Sequence, residues 1–235
     1  MTADPRRAAR REALLAFAAA TAAGALLWQL RGVLGDYSSA LISLVFLAVP
    51  WWLLDRRGAD WADYALTARP VGRGIGLALS TALLIFPLFY LGFLVYYRTV
   101  CHWNAFPMCR SFAGVGGGML RWPPDFAEMA LAQVVAVALP EEFFFRGYLQ
   151  GRLAEVWPAQ RRLLGAPVGR ALVASAALFA VGHVLVDGNP IRLAVFFPGL
   201  VFGWMRARTG SILPGLLFHA MCNLYSEVLH RSFFG

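Results

Sequence analysis

Hydrophobic and polar positions along the chain alternate as long apolar blocks and short polar connectors, not as amphipathic stripes. Crossing a bilayer takes about 20 mostly apolar residues, because the hydrocarbon core is about 30 Å thick and an α-helix rises about 1.5 Å per residue. The blocks at 13–30, 38–54 and 75–97 meet that length, or nearly so. A fourth begins near Asp125, after Pro123 and Pro124, and carries its polar residues at its far end. Further blocks run over 171–186, 191–205 and 212–229. The fifth and sixth are short, which fits one of them being tilted or buried within a bundle. The pattern predicts an all-α polytopic transmembrane helix bundle of about seven spans. Residues 1–12 then form a basic cytoplasmic segment and 13–235 a single membrane domain. The first block has the basic start of a signal peptide, but it is longer than an ordinary signal core and runs into Trp28 and Arg31, so it reads as a retained span.

Composition supports a membrane protein. Hydrophobic residues make up 59% of the 235 residues and charged residues 14%, with a mean hydropathy of +0.60. A soluble globular domain is about 45–50% apolar and about 25% charged. All 21 basic residues are arginine, giving a net charge of +8. In a polytopic chain these arginines set topology and are not a nucleic-acid footprint, since no basic stretch is interleaved with stacking aromatics. Arg6, Arg7, Arg10, Arg11, Arg56, Arg57, Arg69, Arg73, Arg152, Arg161, Arg162, Arg170, Arg206 and Arg208 fall on one side of the predicted spans. Only Arg31, Arg98, Arg110, Arg121, Arg192 and Arg231 fall on the other, and Arg146 lies inside a span. The positive-inside rule then puts the N-terminus in the cytoplasm. An all-arginine, alanine-rich chain also fits a GC-rich bacterium, and hence a bacterial inner membrane. Cys101 and Cys109 flank an external loop in this topology, where a disulfide can persist, whereas Cys222 lies in an apolar block.

The polar residues inside apolar blocks carry the chemistry. The fourth block ends Leu139-Pro140-Glu141-Glu142-Phe143-Phe144-Phe145-Arg146-Gly147. Carboxylates at membrane depth cost a few kcal/mol each and need partners or a wet cavity. Glu142 and Arg146 are four apart with the acid first, the favourable order for an ion pair on one helix face. Glu141 points about 100° away and is left without that counter-ion, as a general base for water would be. His183 lies one turn after Phe179 in the fifth block. His219 and Asn223 share a face of the seventh, two donors suited to a developing oxyanion. The set of base, second imidazole and donor pair suits attack of water on an amide. A zinc site from Glu141, His183 and His219 lacks the His-Glu-x-x-His pattern and ranks below metal-free catalysis, so no cofactor is expected, with a divalent metal left open. Neither the Gly72, Gly74, Gly76 cluster nor the run Gly116 to Gly118 follows a strand in a βαβ unit, so neither reads as a phosphate loop.

These motifs, in this order, resemble the CPBP family of intramembrane proteases. They are Glu-Glu-Phe-Phe-Phe-Arg-Gly, then Phe-Ala-Val-Gly-His, then residues 203–213 followed by His-Ala-Met-Cys-Asn. The family includes CAAX prenyl endopeptidases and bacteriocin-processing and immunity proteins, and the resemblance covers residues of about 127–229. It implies that Glu141 activates water with His183 aiding, that Glu142 and Arg146 support the site, and that His219 and Asn223 stabilise the oxyanion. A bacterial branch, the myxosortases, is similar in size and motif context, and implies removal of a C-terminal sorting helix from a membrane-anchored protein. The expected partners are that substrate and the lipid bilayer, with no nucleic acid. The external loop from Arg98 to Pro124 has no place in the family pattern. One tension remains: Glu141 lies 16 residues into its span, about 24 Å from the outer end at about 1.5 Å per residue, whereas a sorting signal is recognised outside. The alternative to an endopeptidase is a non-catalytic membrane binding or bacteriocin-immunity protein. A transporter using Glu141 as a proton carrier ranks third, because no internal repeat is present.

Overall fold

The structure, a computed structural model, describes residues 4–103, 107–112 and 120–234. The glycine run 116–118 lies outside them. Seven helices dominate: α1 (Pro5–Gln29), α2 (Tyr37–Arg56), α3 (Val71–His102), α4 (residues 126–156), α5 (Arg170–Asp187), α6 (Phe196–Thr209) and α7 (Leu213–Phe234). The protein is an all-α helical bundle and an integral membrane protein. The helices α1, α2, α3 and α5 are long and apolar enough to cross a membrane. The candidate-site residues lie on α4, α5 and α7. The first helix, α1, starts at Pro5, capped by the Asp4 side chain, and runs unbroken to Gln29. The sixth block starts late: Pro190–Val195 is a 3-10 turn, and the α-helix begins only at Phe196.

Successive helices run antiparallel, so the bundle has two ends. One is marked by the close approach of α7 and α3, where Tyr97 and Phe234 rings lie 4.8 Å apart, and by the Arg121 amide bonded to Ser232 Oγ at 2.9 Å. Cys101 and Cys109, joined by a disulfide with Cα atoms 4.9 Å apart, lie at this end. The other end gathers most of the arginines. Here Arg152 Nε meets Glu12 Oε1 at 3.1 Å, Arg57 reaches the same carboxylate at 3.2 Å, and Tyr148 donates to it at 3.0 Å. Tyr64, on a 3-10 turn (Trp61–Tyr64), donates to Glu155 at 2.6 Å. Burial, together with the Glu155 carboxylate, pushes the Tyr64 phenol up to about 12, so it stays a donor. A hairpin absent from the sequence reading, β1 (Arg161–Leu163) and β2 (Ala166–Val168), pairs antiparallel here with Arg161 opposite Val168.

α3 turns most of its surface outward: Leu83 is 80% exposed and Leu84 68%. On a soluble protein such a contiguous apolar face would be an interaction patch; on a membrane helix it is the lipid contact. The core lies on the other side of the bundle, where Phe46 meets Phe144 and Phe145 at 5.2 and 5.6 Å and Phe145 meets Phe179 at 5.0 Å.

The helix α4 is not uniformly α-helical. Gln133–Ala138 and Glu142–Leu149 are π-helical, with Leu139–Glu141 between them. Pro140 is the local cause, because it has no N–H to return to Ala136 and its ring crowds that carbonyl. Ser43 of α2 donates its hydroxyl to Ala136 O instead. In the second widened stretch the Phe145 carbonyl accepts from Ser175 Oγ of α5 at 2.8 Å. Neighbouring helices therefore satisfy backbone groups that the irregular helix leaves over, as membrane depth requires.

Candidate active site

Glu141 and Glu142 leave α4 in different directions and meet different environments. Glu142 is fully buried. Its Oε1 lies 3.0 Å from Arg146 Nη1 and 3.0 Å from His219 Nδ1. Gly215, one turn before His219 on α7, makes that approach possible: a Cβ there would stand 2.9 Å from Glu142 Oε2 and 3.4 Å from Phe202 O. Arg146 is 1% exposed and lies between two rings, 4.0 Å over Phe179 and 5.0 Å over Phe202, with Nη2 toward Gly199 O at 3.4 Å. A cation buried among apolar side chains needs both a counter-ion and ring faces. The sequence reading paired Glu142 with Arg146 but missed that the same carboxylate also orients His219, 77 residues away in the chain.

Glu141 faces a cavity of about 360 Å³ lined also by His183, His219, Asn223 and Cys222. Its Oε2 has no hydrogen-bond partner among the described residues; it lies 3.8 Å from His183 Nε2 and 3.6 Å from His219 Nε2. Two contacts determine the tautomers. His183 Nδ1 is 2.9 Å from Phe179 O, and a carbonyl only accepts, so Nδ1 carries the proton. His219 Nδ1 faces the Arg146-paired carboxylate and donates to it. Both Nε2 atoms are then free to turn a lone pair toward Glu141 Oε2, itself an acceptor. Three acceptors converge at separations that are long for direct hydrogen bonds, which is the arrangement for a bridging water. Phe202 stacks on the His219 ring at 4.8 Å and Phe179 meets the His183 ring edge-on at 4.5 Å, so both imidazoles are held in place.

Asn223 lies on the cavity wall, but not as a bare donor beside His219. Its Nδ2 donates to Gln133 Oε1 at 2.8 Å, which uses one of its two amide hydrogens and orients the other. The sequence reading missed Gln133, although an amide seven residues before Pro140 in an apolar block was a visible signal. The structure thus brings Glu141, His183, His219 and Asn223 to one cavity and puts Glu142 and Arg146 behind it. His102 and His230 lie elsewhere. Among the described residues, no group of three His, Cys, Asp or Glu side chains is arranged to hold a metal ion.

Compared with known proteins, residues 123–225 match the family model described as Type II CAAX prenyl endopeptidase Rce1-like. No curated protein and no solved structure matches the chain.

Proposed function

We propose that this integral membrane protein, whose residues 123–225 form an Rce1-like domain of the CPBP family, is an intramembrane endopeptidase that cleaves a membrane-anchored polypeptide with water activated by Glu141. The observation that carries the reading is the Glu141 carboxylate, whose Oε2 has no hydrogen-bond partner among the described residues and faces two imidazole Nε2 atoms in a cavity between helices. Water held by Glu141 and His183 gives a proton to Glu141 as its oxygen attacks the scissile carbonyl. The free amide hydrogen of Asn223 then stabilises the oxyanion, together with His219, whose Nε2 takes up a proton from solvent to form an imidazolium held between Glu142 and the oxyanion. Glu141 returns the proton to the leaving nitrogen as the C–N bond breaks, releasing a carboxylic acid and an amine, between which the acid proton passes to give carboxylate and ammonium. Glu142 holds the Nδ1 proton of His219 and so sets which nitrogen faces the substrate, while Arg146 balances its charge. No step calls on a metal ion.

The test is comparative membrane proteomics of cells carrying the wild-type chain or Glu141→Gln, which keeps shape and removes the base. C-terminal peptides that persist only in the variant would name the substrate and the bond. Identical peptide sets, with the variant stably present, would instead favour a binding or immunity protein.

A further inference from the structure

We infer that the cavity takes its substrate from the end of the bundle opposite the arginine-rich face, so that the cleaved polypeptide is an exported membrane-anchored protein and not a cytoplasmic tail. The inference rests on the endopeptidase reading for what happens in the cavity, but not for where the cavity opens. Its rim is built from helix ends that all lie at one end of the bundle. Trp28 is in the last turn of α1, Ser39 in the first turn of α2, Asp187 is the last residue of α5, and Arg192 is on the 3-10 turn that follows. Asp187 and Arg192 pair at 2.9 Å on the α5–α6 side of the rim.

Exposure falls across the site in the other direction. The side chain of His183 is 22% exposed and that of Glu141 17%, whereas Glu142 and Arg146, one layer toward the arginines, are at 0% and 1%. Below them Phe144, Phe145, Leu149 and Met205 are fully buried. The arginine-rich end is therefore closed beneath the site and the other end is open.

This geometry removes the depth problem raised by the sequence. Glu141 is far along α4, but α5 ends only four residues after His183, about 6 Å at about 1.5 Å per residue. The α5–α6 connection is recessed below the ends of its neighbours, so a group deep in α4 is shallow when approached over α5. The positive-inside rule gives the arginine-rich end to the cytoplasm. The Cys101–Cys109 disulfide, at the same end as the rim, fits an oxidising compartment there.

Two cysteine probes test the opening without reference to activity. Cys222 lines the cavity and is free, the other two cysteines being paired. Ala159→Cys in a Cys222→Ser background reports the arginine-rich end. A small membrane-impermeant cationic methanethiosulfonate should modify Cys222 severalfold faster in right-side-out than in inside-out vesicles, and Ala159→Cys in the reverse order. Ser39→Cys in the Cys222→Ser background, nearer the rim, should follow Cys222. The inference is overturned if Cys222 and Ser39→Cys both react faster from the cytoplasmic side, or if neither reacts from outside. External modification that leaves processing unchanged would instead count against the endopeptidase reading while leaving the route intact.

Discussion

Adjacent glutamates subjected to the same chemical change should fail in opposite ways. In Glu142→Gln the charge facing Arg146 disappears. The pair is separated by 3.0 Å with side-chain exposures of 1% and 0%, so at an effective dielectric of about 20 its Coulomb attraction is about 5–6 kcal/mol. Desolvation offsets much of that attraction, but removing one partner leaves the other charge buried and uncompensated, which costs about 3–5 kcal/mol. Neither of the rings flanking Arg146, at 4.0 and 5.0 Å, replaces a carboxylate. Glu141→Gln removes no such pair, because among the described residues its Oε2 has no hydrogen-bond partner and its nearest basic groups are imidazoles at 3.6 and 3.8 Å. Its stability should stay within about 1 kcal/mol of wild type, while loss of the base lowers the rate by about 10²–10⁴-fold. Folded fraction against denaturant in mixed micelles, beside cleavage of the substrate found by proteomics, separates the two. Wild-type stability in Glu142→Gln would refute the ion-pair argument, and near-normal cleavage by Glu141→Gln would refute the base.

The hydrogen bond between Asn223 and Gln133 sets a graded pair of variants. Asn223→Ala should lower kcat by about 10²–10³-fold if its amide stabilises the oxyanion, and Gln133→Leu should lower kcat less, with KM unchanged, because it only frees Asn223 to turn. Equal, wild-type kcat in both would remove Asn223 from the mechanism. Metal-free catalysis predicts undiminished cleavage after dialysis against a strong chelator. Loss of activity that a divalent cation restores would assign the convergent Glu141, His183 and His219 atoms to a metal instead.

Much of the site was legible because its partners are local. Glu142 and Arg146 are four residues apart, and the order of acid and base in an apolar helix implies the pair regardless of the rest of the fold. The existence of α1, α2 and α3 followed from uninterrupted apolar length, since in a bilayer a helix has no alternative way to satisfy its backbone, but α1 begins eight residues before its apolar block and α3 runs past its block at both ends. What escaped depends on side chains that meet across long sequence separations. Nothing local to Glu142 announces His219, and nothing near Asn223 announces Gln133. The π-helical widening around Pro140 was suggested only by the proline, and it becomes interpretable once Ser43, a hydroxyl within the second apolar block, is seen to take the role of donor to Ala136 O. The sixth block was drawn too early for a related reason: Pro190 to Val195 is apolar enough to join a helix, but its geometry follows the Asn189 side chain, which caps Ile191 at 3.1 Å.

The segment matching the family supplies the candidate chemistry, but it does not enclose it. Trp28, Ser39, Ile42, Ser43 and Phe46, all N-terminal to residue 123, line the same cavity as Glu141. Phe17 and Phe46 pack on Phe145, the residue beside Arg146, at 6.4 and 5.6 Å. At the arginine-rich end Glu12 and Arg57 hold Arg152 and Glu155 of α4. Removing α1 and α2 would therefore expose the aromatic wall behind Arg146 and open one side of the cavity. A domain of residues 123–225 alone lacks the cavity wall that α1 and α2 supply, so under the endopeptidase reading substrate choice should depend on α1 and α2 as well as on the residues proposed to do the chemistry.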